Sequence, residues 1–328
     1  MITPSEQTEL SNRVKEYKRE SDQAVRRTML GGSNASTIAG VNPFSNKVLL
    51  WEEKTGVTVP DDISSIEKIR WGVLLEDTIA REYALRTGKK VRNVNRTLYH
   101  PDYKFIGGHI DRKIENEEAG LEVKAVGLRQ SSYWTGEIPK YYEMQVLHYL
   151  AITGYEYFDV AALIGGQELR IFTITREGNE QRIDKLVEDE VKFWNEYVLK
   201  KQPPPPESTD ETALLYKTDL VNKIAYLNSS DHYLINEYHE NIKFIKEKEK
   251  RNDAIKTVFQ NSMKDAQILE DSNGEKVATW KTQTRSSLDQ KQMKISEPDI
   301  CAKYTKEQTI RRFSVIDNNS KKESNERS

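Results

Sequence analysis

A single cysteine, Cys301, stands among 328 residues. No disulfide framework is available to staple the chain, which fits a reducing compartment. An excess of either charge is also missing. Fifty Lys and Arg face 52 Asp and Glu for a formal net charge of −2, so a globally basic nucleic-acid binder is not indicated, although local basic patches are compatible. No apolar run approaches membrane-spanning length, and the opening "MITPSEQTELSNRVKEYKRE" lacks the apolar core of a signal peptide. Internal repeats are absent. These absences point to a cytoplasmic protein with no membrane partner. The length suffices for one large domain with an appendage.

Four of the ten prolines are consecutive, in "QPPPPE" at 202–207. Such a run is a stiff extended break, and it divides the chain into an expected domain over 1–205 and an accessory region over 206–328. The first part opens with a polar helix around Glu6–Arg19. It is followed by "AVRRTMLGGSNASTIAG", a glycine turn feeding a short helix for which Ser33 is the expected N-cap. "SNKVLLWEEKTG" reads as a helix stopped by Gly56, and a longer helix runs from about Ile63 to Arg86, closed by Gly88. The apolar period then changes to alternation, giving strands in "KVRNVNRTLY", "KFIGGHIDRKI" and "GLEVKAV". Pro139 opens the helix "PKYYEMQVLHYLAITG". Strands "YFDVAALI" and "ELRIFTIT" flank "GGQ", and a helix from about Glu177 to Lys200 ends the domain. Beyond the prolines a long charged helix, strands in "KVATWKTQTRSSLD" and "IRRFSVID", and a disordered tail are expected. The fold class is therefore mixed α/β (α+β), with a mainly helical C-terminal appendage.

Polar residues in the strands carry the chemistry. In the strand "KFIGGHIDRKI", Ile106, Ile110 and Ile114 share a face and His109 and Asp111 share the other. In "GLEVKAV", Leu121, Val123 and Ala125 oppose Glu122 and Lys124. Asp111, Glu122 and Lys124 would then converge from neighbouring strands. Two carboxylates brought together need a shared proton or a cation, and an all-oxygen set without His or Cys suits Mg²⁺ or Mn²⁺. On the helix 63–86, Glu76 lies at the edge of the apolar stripe above Gly72, a residue that permits close backbone approach, while Asp77 points to solvent. Gln145 and Tyr149 lie one turn apart on the later helix. Each residue alone has a bland reading as a solvated side chain or salt-bridge partner; the five histidines show no metal spacing. The order of Glu on a helix, D…ExK on strands and Q-x-x-x-Y on a helix favours catalysis.

That order, with "RRTMLGGSNASTIAGVNPF", "LLWEEKTG", "WGVLLEDTIAREY", "HPDYKFIGGHIDRKI", "LEVKAV", "GEIPKYYEMQVLHYLAITG", "ALIGG" and "VKFWNEYV", resembles the PD-(D/E)xK nuclease superfamily. More closely, it is similar to the YqaJ-type viral recombinases, relatives of the phage lambda exonuclease. The resemblance implies a restriction-endonuclease-like core, a central mixed sheet flanked by helices. It implies Asp111, Glu122 and the Val123 carbonyl as metal ligands, and Glu76 as the acid for a second ion, two being the expected number. Lys124 would position and help activate the attacking water, with Gln145 ordering the lysine or the water and Tyr149 behind it. Arg26 and Ser33, with Arg27 a near-equal candidate, would hold a terminal 5′-phosphate. Asn34 stands where the family often has Asp, and His109 where Asn or a Ser-Pro pair is common; His109 would replace a contact behind the ligands.

The implied activity is 5′-to-3′ exonuclease digestion of linear double-stranded DNA for phage or prophage recombination. The partners would be DNA ends and a phage-type single-strand annealing protein, with a trimer as the assembly of relatives. The alternatives are an endonuclease for structured or circular DNA and a non-catalytic DNA-binding scaffold.

Overall fold

Strands β6 (Tyr157–Ile164) and β7 (Glu168–Thr175) pair antiparallel over their full length, Tyr157 opposite Thr175 and Ile164 opposite Glu168. Gly165 and Gly166 between them take φ of 60° and 75°, the paired positive φ of a tight hairpin turn that side chains resist. In the computed structural model, which describes Val25 and residues 27–59, 66–307 and 310–316, this hairpin belongs to a five-stranded mixed sheet. The neighbouring strands are β1 (Val91–Asn93), β4 (Arg112–Ile114) and β5 (Ala119–Val126), in the spatial order β1-β4-β5-β6-β7. β5 and β6 run parallel and the other pairs antiparallel. Two short strands, β2 (Leu98–Tyr99) and β3 (Gly107–Gly108), pair only with each other.

Helices cover both faces. Helix α1 (Gly32–Ile38), α2 (Lys47–Thr55) and α3 (Glu67–Thr87) precede the strands; α4 (Lys140–Thr153) joins β5 to β6; α5 (Glu180–Phe193) follows β7 and continues into a wide turn over Trp194–Val198. Ile79, Ala80 and Tyr83 of α3 bury against Leu121, Val123 and Ala161. On the opposite face Val146, Leu147 and Leu150 of α4 pack with Phe158, Val160, Ala162 and Ile183. Each such aliphatic side chain contributes roughly 1.5–3 kcal/mol when fully buried. A third cluster joins Leu30, Leu50, Trp51, Phe193 and Trp194, with Phe105 stacked on Trp194 at 5.2 Å between ring centres.

A sheet with two covered faces revises the expectation for 105–114. The segment is not one strand. Its glycines pair with β2, while Arg112–Ile114 pair with β1 and β5. Ile106 and Ile110 enter the α4 cluster and Ile114 the α3 cluster, so the alternation stops between Ile110 and Ile114. Gly107 cannot carry a side chain there: a Cβ would stand 2.6 Å from the Leu98 carbonyl oxygen. Ser33 is not an N-cap. Gly31 caps α1, because the Asn34 side chain reaches back to accept from the Gly31 N–H at 2.9 Å. Gly72 faces open space, with nothing near it to approach.

The chain divides into two compact units, Met1–Leu215 and Tyr216–Ser328. The prolines belong to the first. Pro204 is buried, and a further helix, α6 (Thr209–Leu215), closes this unit. The second unit contains α7 (Tyr233–Met263), the hairpin β8 (Ile268–Glu270) and β9 (Lys276–Thr279), α8 (Gln290–Ser296) and α9 (Pro298–Tyr304). Only the first four residues of "KVATWKTQTRSSLD" form a strand, and described residues 310–316 form none; an extended segment needs a paired edge to persist as a strand. The expected helix around Glu6–Arg19, the helix start near Ile63 and the tail at 318–328 lie outside the described residues. No helix among the described residues is long and apolar enough to cross a membrane.

Candidate active site

β5 sorts its side chains strictly. Leu121 and Val123 face α3, while Glu122 and Lys124 face α4, opposite Val160 and Ala162 of β6. Glu122 is 2% exposed, an unfavourable place for a carboxylate without partners. One oxygen, Oε1, is well served: Lys124 Nζ lies 2.5 Å away and Gln145 Nε2 donates at 2.8 Å. The other, Oε2, is buried and has no hydrogen-bond partner.

Helix α4 supplies the complementary groups. Gln145 is held at both ends of its amide, accepting from Lys124 Nζ at 3.1 Å and donating to the Tyr149 hydroxyl at 2.8 Å. Lys124 also stands over the Tyr142 ring, 4.6 Å from its centre. Tyr142, Gln145 and Tyr149 lie at i, i+3 and i+7, one helical face; that spacing could have drawn Tyr142 into the site from the sequence. Tyr149 is buried, and burial followed by the nearby Glu122 charge raises its pKa well above the ordinary value, so the phenol keeps its proton. For Lys124, burial works against the ammonium, but the Glu122 carboxylate outweighs it and the pKa is raised. The lysine is a cation at neutral pH.

Asp111 approaches from the β4 end. Its Oδ2 accepts the Val123 N–H at 2.8 Å, which docks it on β5. Burial, and then the charge of Glu122, push its pKa well above the ordinary carboxylate value. A carboxylate with a raised pKa beside another with a bare buried oxygen is a constellation short of positive charge. The donor set of Asp111 and Glu122, oxygen only, fits a hard divalent cation, and the partnerless Glu122 Oε2 is the observation that carries the fit.

Glu76, on α3, pairs its Oε1 with Arg112 Nη1 at 2.5 Å. Asp77, mostly exposed but not free in solvent, takes Arg112 Nη2 at 2.6 Å. Arg112 opens β4 directly after Asp111 and sits opposite Leu121, hence on the α3 side. Among the described residues no group of three or more His, Cys, Asp or Glu side chains is gathered to hold a metal. Arg112 is a site residue that the strand pattern does not single out; the adjacent acids Glu76 and Asp77 on the covering helix are its signal in the sequence.

The proposed phosphate-holding residues are only partly visible. Arg26 lies outside the described residues. Ser33 is exposed as the second residue of α1, and the half-buried Arg27 has its guanidinium beside Gly56. His109 is exposed and turns to the Thr97 hydroxyl at 3.2 Å. His148, one of the five histidines without metal spacing, is fully buried on α4 with Nδ1 2.7 Å from Glu190 and Nε2 3.1 Å from the Gly107 carbonyl. The Gly107 carbonyl can only accept, so Nε2 donates to it, and although burial works against the charged ring, the Glu190 carboxylate outweighs it and raises the His148 pKa. The pair pins β3 beneath the helix that bears Gln145.

The profile of the YqaJ-like viral recombinase domain matches residues 23–156. The uncharacterised protein YqaJ of Bacillus subtilis (strain 168) is 34% identical over 318 residues, spanning 95% of this chain and 98% of that protein. Among solved structures, an alkaline exonuclease of Laribacter hongkongensis superposes with a TM-score of 0.44 at 18% identity, covering 56% of this chain and 97% of the other. A phage-related exonuclease from Haemophilus somnus 129PT gives 0.38 at 10% identity, with 53% and 96% covered. Neither superposition is close enough to bear on activity.

Proposed function

This chain belongs to the YqaJ family of viral recombinases, and from that premise we propose that it is a metal-dependent deoxyribonuclease acting on DNA ends. The observation that carries the reading is the Glu122–Lys124–Gln145 cluster, with its bare carboxylate oxygen beside Asp111. Asp111, Glu122 and the Val123 carbonyl would hold Mg²⁺ or Mn²⁺. Such an ion, when bound, would lower the pKa of a water molecule and offset charge gathering on the scissile phosphate. Lys124, kept charged by Glu122, has only protons to give; it orients the attacking water and offsets phosphate charge. Gln145 fixes the lysine, and Tyr149 fixes Gln145.

The finer reading is digestion of linear double-stranded DNA from the 5′ end, releasing 5′-phosphate nucleotides and leaving a 3′ strand for a phage-type annealing protein. In it Ser33, Arg27 and Arg26 receive the terminal 5′-phosphate, the working assembly is a trimer, and the setting is the bacterial cytoplasm. Matched linear and circular duplexes incubated with Mg²⁺, the linear one with either 5′-phosphate or 5′-hydroxyl ends, test it. Loss of linear DNA alone, faster from phosphorylated ends, is the expected result. Cutting of circles would make it an endonuclease, and no metal-dependent loss would leave a binding scaffold.

A further inference from the structure

Arg112 is 7% exposed, and its guanidinium is spent on three acceptors. They are Glu76 Oε1 at 2.5 Å, Asp77 Oδ1 at 2.6 Å and the carbonyl of Asp111 at 2.6 Å. A fork of this kind matches planar acceptors closely and does not lose its charge. It therefore places a permanent cation between the acids of α3 and the backbone of a proposed metal ligand. Charge balance points the same way. Four carboxylates, Glu76, Asp77, Asp111 and Glu122, are met by three cations, Arg112, Lys124 and, 3.8 Å from Asp77 on the exposed side, Arg81. That leaves one negative charge, which a single divalent ion more than offsets. A second would add to an uncompensated positive excess in a partly desolvated place, which is costly.

We infer that Arg112 engages the Glu76 carboxylate oxygen that a second divalent ion would need, so the centre takes one ion, held by Asp111 and Glu122, and Glu76 acts through Arg112 as a positioning residue. The inference rests on the metal-dependent reading above but replaces the two ions that the family resemblance implies. Glu76 does not coordinate; it anchors the guanidinium, which steadies the Asp111 backbone at the β4 end. Asp77 shares that work from the solvent side.

Counting ions tests this without reference to turnover. Mn²⁺ is titrated into the full chain and free Mn²⁺ is followed by electron paramagnetic resonance, with and without a phosphorothioate-blocked duplex. One ion per chain is expected in both conditions. Glu76→Gln retains that ion, its affinity changed less than roughly tenfold, as for a screened charge outside the ligand set. Glu122→Gln loses it, weakening uptake by more than the roughly 100-fold limit of residues behind a ligand. Arg112→Met, a neutral side chain of similar length, gains a second ion. Two ions in the unmodified chain, one lost in Glu76→Gln, would overturn the inference and leave the nuclease reading standing; so would an Arg112→Met chain that still takes only one. If Arg112→Met does not fold, Glu76→Gln decides alone, since Arg112 keeps Asp77 and the Asp111 carbonyl there. No uptake by the unmodified chain would remove both.

Discussion

At Lys124 two opposing effects meet: burial favours the neutral amine, and the Glu122 carboxylate 2.5 Å away favours the ammonium and outweighs it. The side chain is thus a donor, and Lys124→Ala and Asp111→Ala should each reduce hydrolysis by at least about 10²–10³-fold, the usual effect of removing one preorganised electrostatic group. Duplex binding, measured by gel shift, should persist in both; full cleavage by either variant would refute the assignment. Asp111 gives a second residue-scale expectation. Its folded pKa is raised above the unfolded value, so the folded, metal-free chain binds the proton more tightly and loses stability as pH rises through the folded pKa. Asp111→Asn, which can still accept the Val123 N–H, should raise the metal-free melting temperature by about 2–4 °C above that pKa, the shift that about 1 kcal/mol produces at this size. In the unmodified chain ion uptake should expel the Asp111 proton. Calorimetry in buffers of different ionisation enthalpy would register it, and an enthalpy independent of buffer would argue against a protonated Asp111.

At the scale of elements, α1 and α4 are fitted without slack. A Cβ on Gly32 would lie 2.7 Å from the Tyr149 ring and 3.1 Å from Gln145 Cγ. Gly32→Ala should therefore cost about 1–3 kcal/mol by overpacking and lower activity further by displacing Gln145; denaturant melts and cleavage rates on the same preparation separate the two effects. His148 and Glu190 pack at the same junction. The Glu190 charge and hydrogen bond raise the His148 pKa although burial, the larger single effect, lowers it. The stabilisation is fully present below the unfolded histidine pKa and is lost as pH rises through the folded value. His148→Ala leaves a buried carboxylate unpaired and should cost about 3–5 kcal/mol, seen as a fall in the denaturation midpoint. Elements with long paired registers, β5, β6 and β7, were legible in the sequence because eight-residue runs rich in β-branched and aromatic side chains, bounded by glycine turns, leave little choice of element. "KFIGGHIDRKI" was not: strands of two or three residues carry too little pattern to reveal that β3 and β4 belong to different sheets. The acid–amide cluster was legible for a related reason, since β5 and α4 each present it with their own period. Arg112 was not, because its role depends on α3 crossing the same end of the sheet.

Across the whole molecule, burial is distributed unevenly. The three hydrophobic clusters all lie in the unit ending at Leu215. In the unit from Tyr216, Met263 is the one hydrophobic residue fully buried among the described residues, while Leu220, Val221, Ile224 and Tyr226 are exposed. Backbone ordering costs about 1–2 kcal/mol per residue, and this unit sets less buried apolar surface against that cost than the first. Limited proteolysis should accordingly cut first between Leu220 and Asn228 and leave a resistant fragment ending near Leu215, identified by mass spectrometry. A resistant C-terminal fragment of similar lifetime would contradict this.

β5 is a strand with no spare face: inserting one residue ahead of Leu121 would advance every later side chain by half a pleat. Leucine would then take the place of Glu122 beside Gln145, and a carboxylate would be driven into the aliphatic packing under α3. Length errors in this octapeptide should be less forgivable than almost any exchange of one amino acid for another, and a scan of single-codon insertions would find its sharpest minimum there.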